Sequence, residues 1–230
     1  MNWRIVRRLL VLVVLVAGVA IAWASIHQTM PSWYARLWYP LEYEEAIKEH
    51  AERNDLDPAL IAAVIHAESG FVPDSQSSEG AVGLMQILPA TAQFVADQPG
   101  RPSPAPHRLE DPEVNIAYGS RYMRYLVDSL GSVPRALAAY NGGESNVRRW
   151  LADSRARGEP LRLPEDIPFS ETRAYVDRVE ELTPIYRRAY SDELSPWRGE
   201  APSSRRAFDQ LDHVAIRVLE KRDLGAAGIG

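Results

Sequence analysis

From Asp57 to Gly70 the chain reads DPALIAAVIHAESG, and this stretch limits the fold more than any other. Asp57 followed by Pro58 predicts an N-cap and a first helical residue, and Gly70 predicts the stop. Between them Leu60, Ile61, Val64 and Ile65 recur at the spacing of a buried helical face. Glu68 falls on the same stripe, three residues after Ile65 and four after Val64, so it is expected to face inward. It also lies in the last turn, where the helix dipole is negative and apolar neighbours withhold solvation. Both effects predict a raised pKa, and a carboxylic acid still protonated near neutral pH can give a proton to a glycosidic oxygen. Taken alone, the stretch fits better a solvated helix-end carboxylate beside His66 and Ser69, since most helix-end carboxylates do nothing chemical.

The rest of the chain reads as further helices separated by proline and glycine. LEYEEAIKEHAERN, from Leu41 to Asn54, places Tyr43, Ile47 and Ala51 at spacing four, which predicts a surface helix leading into the Asp57 helix. Phe71 to Gly83 is a polar loop, and Gly83-Leu84-Met85-Gln86-Ile87 leads through Pro89 into a helix from Ala90 to Asp97. QPGRPSPAPHR, from Gln98 to Arg108, holds four prolines and a glycine and is read as a surface loop. Asp111-Pro112 opens a helix to about Ser129 whose Val114, Tyr118, Tyr122, Tyr125 and Leu126 are assigned to the core. Ser132-Val133-Pro134 opens another helix, ending at Gly142-Gly143. Glu144 to Ala156 forms a further one, and Ser170 to Ala189 a long one kinked or divided near Pro184. No alternating run is long enough for a substantial sheet, so the domain is mostly α, from about residue 41 to 190. Residues 191–230 are read as a tail with no chemistry assigned.

Ahead of this domain, three arginines stand among the first eight residues, and Leu9 to Ile26 then runs for 18 residues without a charge. This predicts an export segment over residues 1–30, with the arginines kept inside and everything later outside the cytoplasmic membrane. Eighteen residues can span a bilayer as an anchor, while Ala22-Trp23-Ala24 also suits cleavage of a signal peptide. With an anchor, Trp23, Trp33, Tyr34, Trp38 and Tyr39 would form an aromatic belt, residues 31–40 serving as a juxtamembrane linker. Packing of these rings against the domain is the other reading.

A net charge of −5 argues against a nucleic-acid surface. The absence of cysteine excludes disulfides, thiol nucleophiles and thiolate metal sites. Five histidines show no ligand spacing, and His66 would point about 160° from Glu68 at helical pitch, so no metal or other cofactor is expected.

Four separated segments follow one pattern: His66-Ala67-Glu68-Ser69-Gly70-Phe71, Gly80-Ala81-Val82-Gly83-Leu84-Met85-Gln86-Ile87-Leu88-Pro89, Ala139-Tyr140-Asn141-Gly142-Gly143 and Glu171-Thr172-Arg173-Ala174-Tyr175-Val176. In them the chain resembles the family 1 lytic transglycosylases, whose catalytic domain has a lysozyme-like helical fold. The resemblance covers about residues 41–190. It implies a lyase that cleaves the MurNAc-GlcNAc β-1,4 bond of peptidoglycan glycan strands and leaves 1,6-anhydro ends. It further implies that Glu68 is the single catalytic acid/base, that Ser77 and Gln86 contact the sugar, that Tyr140 and Asn141 lie on the cleft floor, and that Tyr175 stands near the catalytic carboxyl. Gly142 and Ser75 stand where the family commonly has alanine, and the proline loop is atypical.

The residues themselves agree with that chemistry. Ordinary glycoside hydrolysis takes two carboxylates, and only Glu68 sits on an apolar stripe. Asp74 and Glu79 fall in the next loop, and Glu171 opens a helix, where capping suits it. One carboxylate suffices if the substrate's own N-acetyl group is the nucleophile, an exception to the two-carboxylate rule. The rival on the same fold is a goose-type lysozyme, which would need Asp74, Glu79 or Glu171 opposite Glu68. A non-catalytic glycan-binding module would be expected to have lost the acid.

Overall fold

The computed structural model describes residues 3–98 and 108–195, without the side chains of residues 5 and 22–29. The proline loop over 99–107, the tail after 195, the Trp23 ring and the Ala22-Trp23-Ala24 side chains therefore lie outside the described residues. Nine α-helices are described: α1 (Trp3–Thr29), α2 (Ser32–Trp38), α3 (Glu44–Arg53), α4 (Pro58–Ser69), α5 (Pro89–Ala96), α6 (Pro112–Leu130), α7 (Val133–Gly142), α8 (Glu144–Arg157) and α9 (Ser170–Ala189). Extended pairing is limited to two isolated bridges, Gln76 with Val82 and Val82 with Ile87.

The punctuation acts as anticipated. Asp57 caps α4 through its carboxylate, which accepts from the Ala59 N–H at 2.9 Å, and Asp111 caps α6 in the same way. Proline occupies the first turn of both helices, where its missing N–H has no partner to lose. Gly70 and Gly131 end them at positive φ.

The stripe on α4 is wider than its spacing suggests. Every residue from Ala59 to Ile65 is buried, because α9 and α3 both pack on the helix rather than one layer covering one side. α9 runs antiparallel along it. Arg187 near the end of α9 pairs with Asp57 at the start of α4, while Tyr175 near the start of α9 stands by Glu68 at the end of α4. α9 continues undivided with Pro184 inside it, so of the two expectations there, kink or division, division does not occur. His66 points to the far part of α9: its Nδ1 is 2.9 Å from the Tyr186 hydroxyl, which itself donates to the Pro40 carbonyl at 3.1 Å. With that proton spent, His66 Nδ1 is the donor, which fixes the tautomer.

Residues 31–40 are more than a linker. α2 lies against α9 with Tyr34 and Ala35 buried, and Tyr39 packs on the core. Arg36 donates to the Ala189 carbonyl at 2.9 Å, pairs with Glu193 and stacks over the Tyr190 ring at 4.6 Å. Leu194 is buried as well, so the packed body reaches past residue 190.

α1 carries an exposed apolar surface from Leu9 to Ile21. No helix is long and apolar enough to cross a membrane when only the described residues are counted. The uncharged sequence that completes the 18-residue run, Ala22 to Ile26, falls where side chains are not described.

Candidate active site

The site is built where the end of α4 meets a loop, α7 and the start of α9. Glu68 sits in the last turn of α4, partly buried. Burial pushes its carboxyl up to about 7 from an ordinary 4.5, and the nearby Tyr175 hydroxyl is the influence that opposes the rise. Tyr175 is itself buried, and its hydroxyl makes no hydrogen bond of ordinary geometry. The two groups therefore influence one another across a contact that is not closed. The hydroxyl faces Glu68 without being bonded to it. Burial and the Glu68 charge hold the Tyr175 phenol well above its usual range.

Immediately after Glu68 the chain is tied down. Ser69 Oγ donates to the Leu84 carbonyl at 2.8 Å, joining α4 to the loop that follows. Gly70 and then Phe71 both take positive φ, 60° and 68°. For a buried aromatic residue this is strained backbone, and Phe71 is kept there by packing against His66 and Tyr186.

The loop from Ser75 to Ile87 closes on itself through Gly83 N–H to Ser75 O at 2.8 Å and through paired bonds between Val82 and Ile87. Its anchor is Asn115 on α6, fully buried. Asn115 Nδ2 donates to the Val82 and Leu109 carbonyls, both at 2.8 Å, and Oδ1 accepts from the Met85 N–H at 2.7 Å. Gly83 is required beside it, because a Cβ there would collide with the Asn115 side chain and the Leu109 carbonyl. Gly119 is required one turn further on, where Met85 lies against the α6 backbone. Asn115 carried no sequence signal, since an asparagine in a helix reads as polar surface; only its complete set of partners reveals the role.

The remaining expected residues are placed as follows. Gln86 takes φ 47°, and its amide nitrogen donates to the Ser75 and Gly83 carbonyls, so its donors serve the loop and its Oε1 remains as an acceptor. Ser77 Oγ accepts from the Glu79 and Ala81 N–H groups at 3.2 Å each, which leaves its proton to donate. Tyr140, at the end of α7, donates to the Met85 carbonyl at 2.8 Å, so its hydroxyl offers the site an acceptor rather than a proton. Burial, then the Glu68 charge, raise the Tyr140 phenol well above its usual range. Asn141 is exposed at the same helix end, one residue before Gly142, whose missing side chain lets Thr172 of α9 come close.

Asp74, Glu79 and Glu171 are exposed. Glu79 is held below the usual carboxylate range by hydrogen bonds, first from Ser78. Among the described residues, no second carboxylate enters the balance that sets Glu68. Nor do three or more His, Asp or Glu side chains stand close enough together to hold an ion.

One part of the tyrosine stripe on α6 departs from the core assignment. Tyr118 is fully buried, but Tyr122 and Tyr125 line a pocket of about 270 Å³ with Ala90, Thr91, Phe94 and Glu144. Phe94 meets Tyr125 edge-on at 4.9 Å, and Tyr122 stands 5.4 Å from Tyr140, so the pocket adjoins the site. Burial works to raise Glu144, but hydrogen bonds from Ser129, Arg148 and Tyr125 outweigh it and keep the group ionised. The spacing on α6 is the same for buried and pocket-lining tyrosines; what separates them is α5, whose position the sequence does not state.

With this geometry in view, the chain can be set beside known proteins. The family model of the transglycosylase SLT domain matches residues 45–161. The soluble lytic murein transglycosylase of Escherichia coli K12 is 37% identical over 158 residues, which is 67% of this chain and 24% of that protein. Among solved structures, the 70 kDa soluble lytic transglycosylase of Escherichia coli superposes with a TM-score of 0.60 at 32% identity, over 73% of this chain and 28% of the other. An inactive glutamate-to-glutamine mutant of the lytic transglycosylase Slt from Pseudomonas aeruginosa gives 0.61 at 32% identity, over 73% and 27%. The chain thus spans about a quarter of the length of these relatives.

Proposed function

The chain belongs to the transglycosylase SLT domain family, and we propose that it is a peptidoglycan lytic transglycosylase with Glu68 as its single acid/base. The observation that carries this reading is Glu68 itself: a partly buried carboxyl poised at about 7, faced by Tyr175, with no carboxylate partner among the described residues. Protonated, it gives its proton to the oxygen leaving C1 of a MurNAc ring, while the carbonyl oxygen of that ring's acetamido group bonds to C1. Glu68, now a carboxylate, takes the proton of the ring's 6-hydroxyl. That oxygen displaces the acetamido oxygen from C1 and closes the 1,6-anhydro ring. No water is consumed, and no cofactor takes part.

Ser77, Gln86, Tyr140, Asn141 and Tyr175 form the substrate-binding set in this reading. Ser77 supplies a donor, Gln86 Oε1 and the Tyr140 hydroxyl supply acceptors, and Asn141 supplies an exposed amide. The Tyr175 hydroxyl orients Glu68. The Phe94, Tyr122 and Tyr125 rings provide apolar faces on which a neighbouring sugar can stack.

For placement we propose an export segment over residues 1–30, with the catalytic unit outside the cytoplasmic membrane and tethered to it. Support comes from the arginines in the first two turns of α1, the exposed apolar surface that follows them on that helix and the uncharged sequence through Ile26. Residues 31–40 join the tether to the catalytic unit of residues 41–190, and 191–230 follow as a tail.

The test is to digest purified peptidoglycan and weigh the products. Anhydro ends, lighter than reducing ends by one water, about 18 daltons, are expected. Reducing ends would make the protein a lysozyme, and unchanged glycan would end the reading.

A further inference from the structure

The two tryptophans of α2 stand apart from the rest of the packed body. Trp33, Leu37 and Trp38 are 61%, 71% and 62% exposed, whereas the large hydrophobics exposed elsewhere on the body, Val72, Leu88, Phe94 and Phe169, are less so and scattered. Both indoles pack against the buried Tyr34 ring, at 5.7 and 6.3 Å between centroids, so three exposed apolar side chains project from one seven-residue helix. It is held rigidly. Arg36 fastens α2 to the end of α9 through the Ala189 carbonyl, Glu193 and the Tyr190 ring, and the Tyr190 hydroxyl donates to the Tyr39 carbonyl at 2.8 Å. Immobilised, water-facing tryptophans are costly unless something covers them.

What covers them follows from their place in the chain. α1 ends at Thr29 and α2 begins at Ser32, so at about 3.5 Å per residue the patch starts roughly 10 Å from the end of the apolar helix. That is the depth at which tryptophan concentrates at a bilayer surface, its ring among the acyl chains and its N–H toward water. Charge fits a lipid face too. α2 contains no acidic residue, its Arg36 neutralises Glu193, and Arg188 is exposed beside Ser32 and suits anionic headgroups; Asp192 is the nearby opposing charge. We propose that α2 seats the catalytic unit on the outer leaflet, with Trp33, Leu37 and Trp38 in the headgroup region. This rests on the tethered reading of α1 given above.

The seat gives the site a fixed working height. α9 is bolted to α2 at its last turn and carries Tyr175 against Glu68 near its first, so the acid lies about 20 Å from the seat along the helix axis. The reach of the enzyme into the wall then depends on this strut rather than on a flexible linker.

The experiment uses the full chain in vesicles of phosphatidylethanolamine and phosphatidylglycerol that carry bromine on the upper acyl chain, a contact quencher of tryptophan. In W3F/W23F/W197F the tryptophans of α1 and of the tail are silent, and a quenchable component from Trp33 and Trp38 is expected to remain. Adding W33F/W38F should abolish it, since Trp150, the tryptophan then left, is buried. If W33F/W38F/W197F shows quenching from α1 while W3F/W23F/W197F shows none, the tether stands and the seat is wrong. If no variant is quenched and the chain does not float with the vesicles, the tethered reading fails and takes the seat with it. If the Trp33/Trp38 emission shifts with protein concentration and ignores bromine, the patch joins copies of the chain, which also overturns the proposal.

Discussion

Replacing Glu68 by glutamine tests the electrostatics of the site apart from its chemistry. The carboxyl ordinarily titrates near 4.5 and is pushed up to about 7 by burial in the folded chain. Between those values the native state holds a proton that the unfolded state has released. The contribution of Glu68 to stability is therefore fully present below pH 4.5 and is lost as pH rises through 7. At 1.36 kcal/mol per unit the gap amounts to at most about 3.4 kcal/mol. Glu68 is only partly buried, so solvent screens some of it, and we expect about 1–3 kcal/mol. Glutamine has nearly the same shape and cannot ionise. Measured by urea unfolding of the full chain in mild detergent, Glu68→Gln should match the parent at pH 4.5 and exceed it by that amount at pH 8. Digestion of peptidoglycan should meanwhile cease. A stability difference that does not change with pH would refute the buried-acid argument, even if activity were lost.

Three further outcomes follow from the geometry. Tyr175→Phe removes an unbonded buried hydroxyl and the influence holding Glu68 down, so stability should hold or rise by up to about 1 kcal/mol while the Glu68 titration, followed by carboxyl NMR, moves upward; a downward move would contradict the contact. Asn115→Leu leaves the Leu109 carbonyl and the Met85 N–H buried without partners and takes one of two donors from the Val82 carbonyl, and should cost about 2–4 kcal/mol in urea unfolding, with Asn115→Asp recovering only part. Burial, then the Arg178 charge, lower the His66 pKa from 6.5, so the unfolded chain takes up the proton first and stability should fall as pH drops below about 6.5. His66→Gln should flatten that part of the stability–pH curve.

Element starts, and the stop of α4, were legible because they depend on single residues: Asp57, Pro58, Asp111, Pro112 and Gly70 all act where local chemistry places them. The inward position of Glu68 was legible for the same reason, being set by helical period. What the sequence withheld was anything decided by a second element. Asn115 reads as surface until the loop arrives to fill its bonds, and Tyr122 reads as core until α5 leaves a pocket beside it. Gln86 and Tyr140 could be named from the sequence as candidates, but the direction of their hydrogen bonds could not, because their donors go to the carbonyls of Ser75, Gly83 and Met85. The aromatic run from Trp33 to Tyr39 divided between both of its readings, Tyr34 and Tyr39 turning inward and the two tryptophans outward.

The bonds of Asn115 also divide the loop after α4 mechanically. From Val82 to Ile87 the backbone is riveted to α6, to Ser69 and to Tyr140, so moving it would break several buried hydrogen bonds at once. From Ser77 to Gly80 it is an exposed turn stitched mainly to itself. Compliance on this side of the site is thus confined to one tip of four residues, a soft lip bearing Ser77 beside a rigid jaw that bears Gln86 outward and buries Met85 behind it.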